Sequence, residues 1–169
     1  AFDADTSTFW HSNVQPATTP QWLQYQMGSA GDVALVRMTP RGGSSTTTQS
    51  PTDWKVQYSD DGSSWTDAAT FTGTTWSAEW FATSFPVTTP AAGSYANWRI
   101  AVNSSQNGQA TSCAELQFRE TSGGADLAST TQWHGQASDV FGSTTYWGYL
   151  AFDDNASTFW AAQNLPPGN

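Results

Sequence analysis

Apolar and polar positions alternate in short runs along this chain, and no segment keeps the 3.6-residue spacing of an amphipathic helix. Trp22 to Gly28 ("WLQYQMG") and Asp32 to Met38 ("DVALVRM") each read as a strand with one buried face. Trp54 to Phe71 ("WKVQYSDDGSSWTDAATF") reads as two strands folded about an Asp61-Gly62 turn. "NWRIAV" from Asn97 and "CAELQFRE" from Cys113 add two more strands. Pro and Gly punctuate the chain at 40–43, 86–93 and 107–108. Short strands at this spacing predict an all-β fold, an antiparallel β-sandwich.

A repeat organises the two ends. "AFDADTSTFW" opens the chain at Ala1 and "AFDDNASTFW" returns at Ala151, with seven of ten positions identical. The spacing predicts tandem modules. On that reading residues 1–121 would be one module that starts inside its motif and lacks its first strand. Residues 122–129, rich in small side chains, form a flexible linker, and 130–169 begin a second copy. An unpaired first strand would leave a costly open sheet edge. Some part of 126–150 is therefore expected to dock there, on its own chain or on a neighbouring copy by strand complementation. The competing arrangement has the tail fold against another module and touch the first only at the linker.

Composition narrows the class. In 169 residues, 37% are hydrophobic and 14% aromatic, enough for a sizeable core. Only 11% are charged, so the polar surface comes from Ser, Thr, Gln and Asn, as in extracellular β-proteins. Five basic residues and a net charge of −9 exclude the cationic clusters that nucleic acid or an anionic membrane surface requires. No apolar run is long enough for membrane insertion as a helix. The single cysteine, Cys113, sits in a strand pattern and reads as a buried, inert thiol. His134 in "QWHGQ" has no ligand-spaced partner and reads as a loop residue.

Asp3, Asp5 and Thr8 place three oxygen donors within six residues. That pattern suits Ca²⁺, and it equally suits an Asx-type turn in which carboxylates accept backbone N–H groups. In the second copy Asp3 and Thr8 recur as Asp153 and Thr158, Asp5 becomes Asn155, and Phe9-Trp10 recur as Phe159-Trp160. The aromatic pair suits packing under the loop. His11, by contrast, becomes Ala161. A position that changes while its scaffold persists is a candidate ligand contact.

The ordered series "AFDADTSTFWHS", "PQWLQYQMG", "VALVRMTPR", "WKVQYSDDGSSW", "NWRIAV", "AELQF" resembles the discoidin, or coagulation factor 5/8 type C, superfamily. It is most similar to the bacterial galactose-binding-like carbohydrate modules. The resemblance implies an eight-stranded jelly roll and a structural Ca²⁺ site. Asp3 would give a carboxylate, Asp5 a carbonyl, Thr8 its hydroxyl and carbonyl, Ala114 a carbonyl and Glu115 a carboxylate. A further carbonyl normally precedes the motif's Ala; its second-copy equivalent is Leu150, beside Asp153, Asn155 and Thr158. The resemblance also implies a sugar site. His11 and Arg41 would bond hydroxyls, and Trp76 or Trp80 would stack on the sugar, although either Trp reads equally well as core. Val14, where such modules often carry an aromatic, and a 103–112 loop without aromatics depart from the galactose-binding pattern.

No nucleophile triad, zinc motif or phosphate loop is found, and no pair of carboxylates suggests a glycosidase cleft. The sequence predicts a non-catalytic glycan-binding or adhesion module of a larger extracellular, cell-surface or virion-surface protein. A purely structural module of a virion, surface layer or filament is the alternative. His11 and Arg41 favour binding; Ala161 and the tandem arrangement favour assembly.

Overall fold

The computed structural model describes residues 1–2, 9–12, 16, 19–41, 49–88, 93–108, 110–128 and 135–138. Ten strands and no α-helix are found among them: β1 (Trp10–His11), β2 (Gln21–Gly31), β3 (Leu35–Thr39), β4 (Pro51–Ser59), β5 (Thr66–Phe71), β6 (Thr83–Pro86), β7 (Tyr95–Ser105), β8 (Ser112–Cys113), β9 (Glu115–Arg119) and β10 (Gly135–Ala137). Every pairing between them is antiparallel. They form a five-stranded sheet in the order β10-β2-β7-β4-β5, a three-stranded sheet β6-β3-β9, and a two-stranded ribbon β1-β8.

The period-2 runs of the sequence set which side chains face inward. Leu23, Tyr25 and Met27 of β2, Trp54 and Val56 of β4, and Trp98, Ile100 and Val102 of β7 are buried. They meet Val36 and Met38 of β3 and Leu116 and Phe118 of β9. Rings cross the interface between the two larger sheets. Trp54 lies 4.4 Å from Phe71 in its own sheet and 4.9 Å from Phe85 in the other, and Trp98 lies 6.5 Å from Phe118. This is the expected all-β sandwich. Fully burying such side chains contributes roughly 1.5–3 kcal/mol each. The Trp54 indole keeps its polar group satisfied by donating to Thr74 Oγ1 at 3.0 Å.

The outward positions of the five-stranded sheet are polar and interlocked. Arg99 donates from Nε to Gln57 at 2.7 Å, its guanidinium lies 4.1 Å over the Trp65 ring, and Lys55 pairs with Asp67 at 2.6 Å. The β4–β5 hairpin turns where expected. Asp61 accepts the N–H groups of Ser63 and Ser64 at 2.8 and 2.7 Å. Gly62 takes the left-handed conformation (φ 71°) that the turn requires.

Two features differ from the sequence reading. "CAELQFRE" is not one strand but two, β8 and β9, broken at Ala114, whose N–H donates to the Thr39 carbonyl at 2.9 Å. The segment read as a flexible linker folds back along β9. Asp126 forms a bridge with Arg119, and its Oδ1 accepts the N–H groups of Phe118 and Ala128, each at 3.0 Å. Leu127 N–H donates to the Phe118 carbonyl at 2.7 Å, and Ala128 is buried. Leu127 also lies on β2 at Gly31, where an added Cβ would come within 3.0 Å of its Cδ1. Beyond it, Gly135, Gln136 and Ala137 pair with Tyr25, Gln24 and Leu23. Residues 135–137 thus cover an edge of the five-stranded sheet within the same chain.

Candidate functional site

Of the residues expected to hold a metal, Asp3, Asp5 and Thr8 lie outside the described residues, as do Leu150, Asp153, Asn155 and Thr158 of the repeated motif. The frame of the first motif is described. Ala1 and Phe2 are buried, and the Phe2 ring sits 5.2 Å from Tyr25 and 5.9 Å from Phe118. The Ala1 carbonyl accepts the N–H of Leu116 at 2.5 Å. The start of the motif therefore lies against the beginning of β9, beside Ala114 and Glu115. Glu115 is only 4% exposed. A hard oxygen donor at this position fits an oxygen-ligated cation. Among the described residues no three His, Cys, Asp or Glu side chains gather to hold a metal.

Cys113 is fully buried between these elements, its Sγ 2.9 Å from the Glu115 carbonyl. Burial pushes its thiol far up, so it stays protonated and unreactive.

The ribbon β1-β8 carries His11 at the same end, opposite Ser112. His11 is half-buried, and its pKa falls to about 4, first because burial disfavours the charged form and then because Arg41 is close by. The imidazole is neutral at physiological pH, offering one donor and one acceptor. Arg41 follows β3. Its guanidinium lies 3.8 Å from the centroid of the Phe9 ring and its Nη1 donates to Gln49 Oε1 at 3.4 Å. Partial burial holds its pKa below the ordinary guanidinium value. His11 and Arg41, thirty residues apart, are brought within electrostatic reach of each other.

The two candidate stacking residues separate. Trp76 is 9% exposed, its indole N–H donates to the Pro51 carbonyl at 2.8 Å, and its ring meets Phe85 at 5.5 Å. It belongs to the core and offers no face to a ligand. Trp80 is 45% exposed, and its N–H donates to the carbonyl of Pro40, the residue before Arg41, at 3.3 Å. Trp80 therefore stands beside the Arg41 loop.

Two residues acquire roles that periodicity did not give them. Phe9, read as packing under the loop, is half-buried and braces Arg41, whereas Trp10 is fully buried. Phe81, next to Trp80, is 61% exposed. The only sequence signal for it was an aromatic pair, "WF", outside any alternating run. His134 and Val14 lie outside the described residues.

Comparison with known proteins agrees with this architecture. The model of the F5/8 type C domain matches residues 1–116. No curated protein matches the sequence. Among solved structures, a family 32 carbohydrate-binding module of NanJ from Clostridium perfringens, in complex with galactose, is 22% identical with a TM-score of 0.51, over 68% of this chain and 77% of that one. A third module of that type from a family 31 glycoside hydrolase of the same organism is 22% identical with a TM-score of 0.54, over 68% and 76%. An F5/8 type C domain from Bacteroides fragilis is 13% identical with a TM-score of 0.56, over 70% and 76%. At these identities the likeness shows the fold, and the match over residues 1–116 shows the family. The chain belongs to the F5/8 type C (discoidin) domain family and is one of its non-catalytic modules.

Proposed function

We propose that this module binds a glycan at the end of the sandwich that carries His11 and Arg41, with Trp80 beside the Arg41 loop. The observation that carries this reading is the pairing of a neutral His11 with an Arg41 braced on Phe9. A neutral imidazole supplies one ring nitrogen, as donor or acceptor, to a sugar hydroxyl. A planar guanidinium forks onto two neighbouring oxygens. Holding the guanidinium against a ring removes much of the entropy it would lose on binding. Trp80 supplies an exposed aromatic face for the apolar side of a sugar.

The neighbours' ligands support a sugar without naming it. One related module was solved with galactose, another with N-acetylgalactosamine-β-1,3-galactose and a third with 4,5-unsaturated mannuronic acid. A galactose-type glycan is the first to test, on the outside of a cell or a virion.

A structural Ca²⁺ under the same end would be held by the carboxylates of Asp3 and Glu115, the Thr8 hydroxyl and carbonyl, and the carbonyls of Asp5 and Ala114. When bound it would supply a fixed centre joining the motif loop to β9. Glu115, buried beside Ala1, supports this.

One observation favours assembly as a second reading: the edge of β2 accepts a strand from beyond residue 128. The same edge would accept a strand from a neighbouring module or copy. A glycan array followed by calorimetry separates the two readings. The first expects saturable binding that His11→Ala and Arg41→Ala each weaken. No binding by the wild type would leave the assembly reading.

A further inference from the structure

The outer face of the three-stranded sheet carries a groove of about 420 Å³. Its floor is two rungs of one face, Arg37 opposite Gln117 and Thr39 opposite Glu115. Its wall is Trp80 and Phe81, the large hydrophobic side chains that stand exposed among the described residues.

Folding does not account for this wall. Trp80 sits at φ 60°, in the left-handed region that a bulky side chain rarely enters. Its N–H is tied to Pro40, so the backbone is held in a strained state while the ring faces solvent. Strain combined with adjacent exposed aromatics is the pattern of a binding surface.

The floor has the complementary chemistry. Gln117 Oε1 accepts from Arg119 Nε and Nη2 at 3.2 and 2.9 Å, which leaves its amide nitrogen as a donor. Arg37 is exposed, and its guanidinium makes no hydrogen bond to another described residue. An apolar wall facing such donors suits a pyranose ring, which has an apolar face and a rim of hydroxyl oxygens.

The groove adjoins the site already described. Thr39, on its floor, is two residues from Arg41, about 7 Å of extended chain. The Trp80–Pro40 bond joins its wall to the residue between them. We propose that this groove is a second sugar subsite, so that the module recognises at least two linked sugars rather than a terminal one alone. This rests on the glycan-binding reading above. The sugar held by His11 and Arg41 is followed by a second. Phe81 stacks on that second sugar, and Arg37 and Gln117 donate to its hydroxyls.

The test uses galactose, glucosamine and galacturonic acid, each as mono-, di- and tetrasaccharide, measured by calorimetry on the whole chain. For the series that binds, the disaccharide is expected to bind at least tenfold more tightly than the monosaccharide. Phe81→Ala and Arg37→Gln should each erase that gain and leave monosaccharide affinity unchanged, with melting curves like the wild type. His11→Ala should weaken both lengths. Equal affinity at all lengths, or variants as tight as wild type on the disaccharide, would overturn the second subsite while leaving the His11 reading intact. Binding of none of these sugars by the wild type would overturn both.

Discussion

The Arg41 guanidinium lies 3.8 Å from the centroid of the Phe9 ring, so the aromatic pair of the opening motif divides its work. Trp10 enters the core, and Phe9 stays at the surface to orient the cation. Arg41→Lys keeps the charge but loses both the planar stack and the fork. It is expected to weaken glycan binding by about 1–2 kcal/mol, roughly 5- to 30-fold in Kd. Phe9→Leu should cost about 0.5–1 kcal/mol of the same affinity by releasing the cation. Calorimetry on the two variants checks both. A Lys variant equal to wild type would show that Arg41 acts only as a charge.

Metal binding gives the second prediction. If Glu115 and the opening loop share a Ca²⁺, chelator should lower the melting temperature and added Ca²⁺ restore it, since a ligand bound only by the native state stabilises that state. Glu115→Gln should melt at the chelated value and no longer respond to either. An identical wild-type melting curve in excess chelator would sink the metal.

Proton linkage makes a third prediction, because two half-buried groups pull in opposite directions. The His11 pKa is lowered to about 4 by burial and then by Arg41. A depressed folded pKa means stability that is present above the unfolded value near 6.5 and lost as pH falls toward 4. The Asp126 pKa is raised to about 6, because burial outweighs the bonds it accepts from Ala128 and Phe118. A raised folded pKa means stability that is present below the unfolded value near 3.8 and lost as pH rises through 6. Between pH 6 and 4 the two oppose each other. Asp126→Asn should steepen acid destabilisation, and His11→Asn should remove it, leaving a protein more stable at pH 5 than at pH 7. Denaturant midpoints across pH 4–8 decide it. Parallel curves for all three proteins would remove both assignments.

The two tryptophans of "TTWSAEWF" show where the sequence stops being legible. Both sit outside any alternating run, and only the fold separates them. Trp76 finds the Pro51 carbonyl and Phe85, whereas Trp80 is pinned to Pro40 with its ring outward. β2, β4, β5 and β7 were readable because their partners alternate on both sides of one core. β6 was not, since "TSFP" is four residues whose partner is set by β3. His11 and Arg41 were readable as candidates through the repeat and the resemblance. Phe81 and Arg37 were not, because a groove belongs to register and not to spacing. Trp76→Ala is expected to cost about 3–5 kcal/mol of stability. Trp80→Ala should change stability by no more than about 0.5 kcal/mol, as for an exposed position. Chemical denaturation of the two variants tests this, and equal losses would put Trp80 in the core.

Strand β10 carries the last prediction. Ser138 N–H donates to the Trp22 carbonyl at 2.9 Å and Trp22 N–H to Ser138 Oγ at 3.0 Å. Ser138 is therefore opposite Trp22 in a hydrogen-bonding position. Antiparallel pairs alternate between bonded and non-bonded rungs, so Gln136 opposite Gln24 is bonded too. Pro at 136 cannot donate there, and Gln136→Pro should release β10 and open the Leu23–Tyr25 edge of β2. An open edge of this length recruits another strand. Gln136→Pro, and a chain ending after Ala128, should therefore self-associate with rising concentration, as strand complementation between copies would require. A peptide spanning 129–140 added in trans should return them to monomers. Light scattering coupled to size exclusion measures this directly. Monomeric variants with an unchanged melting temperature would show that β10 covers the edge without protecting it.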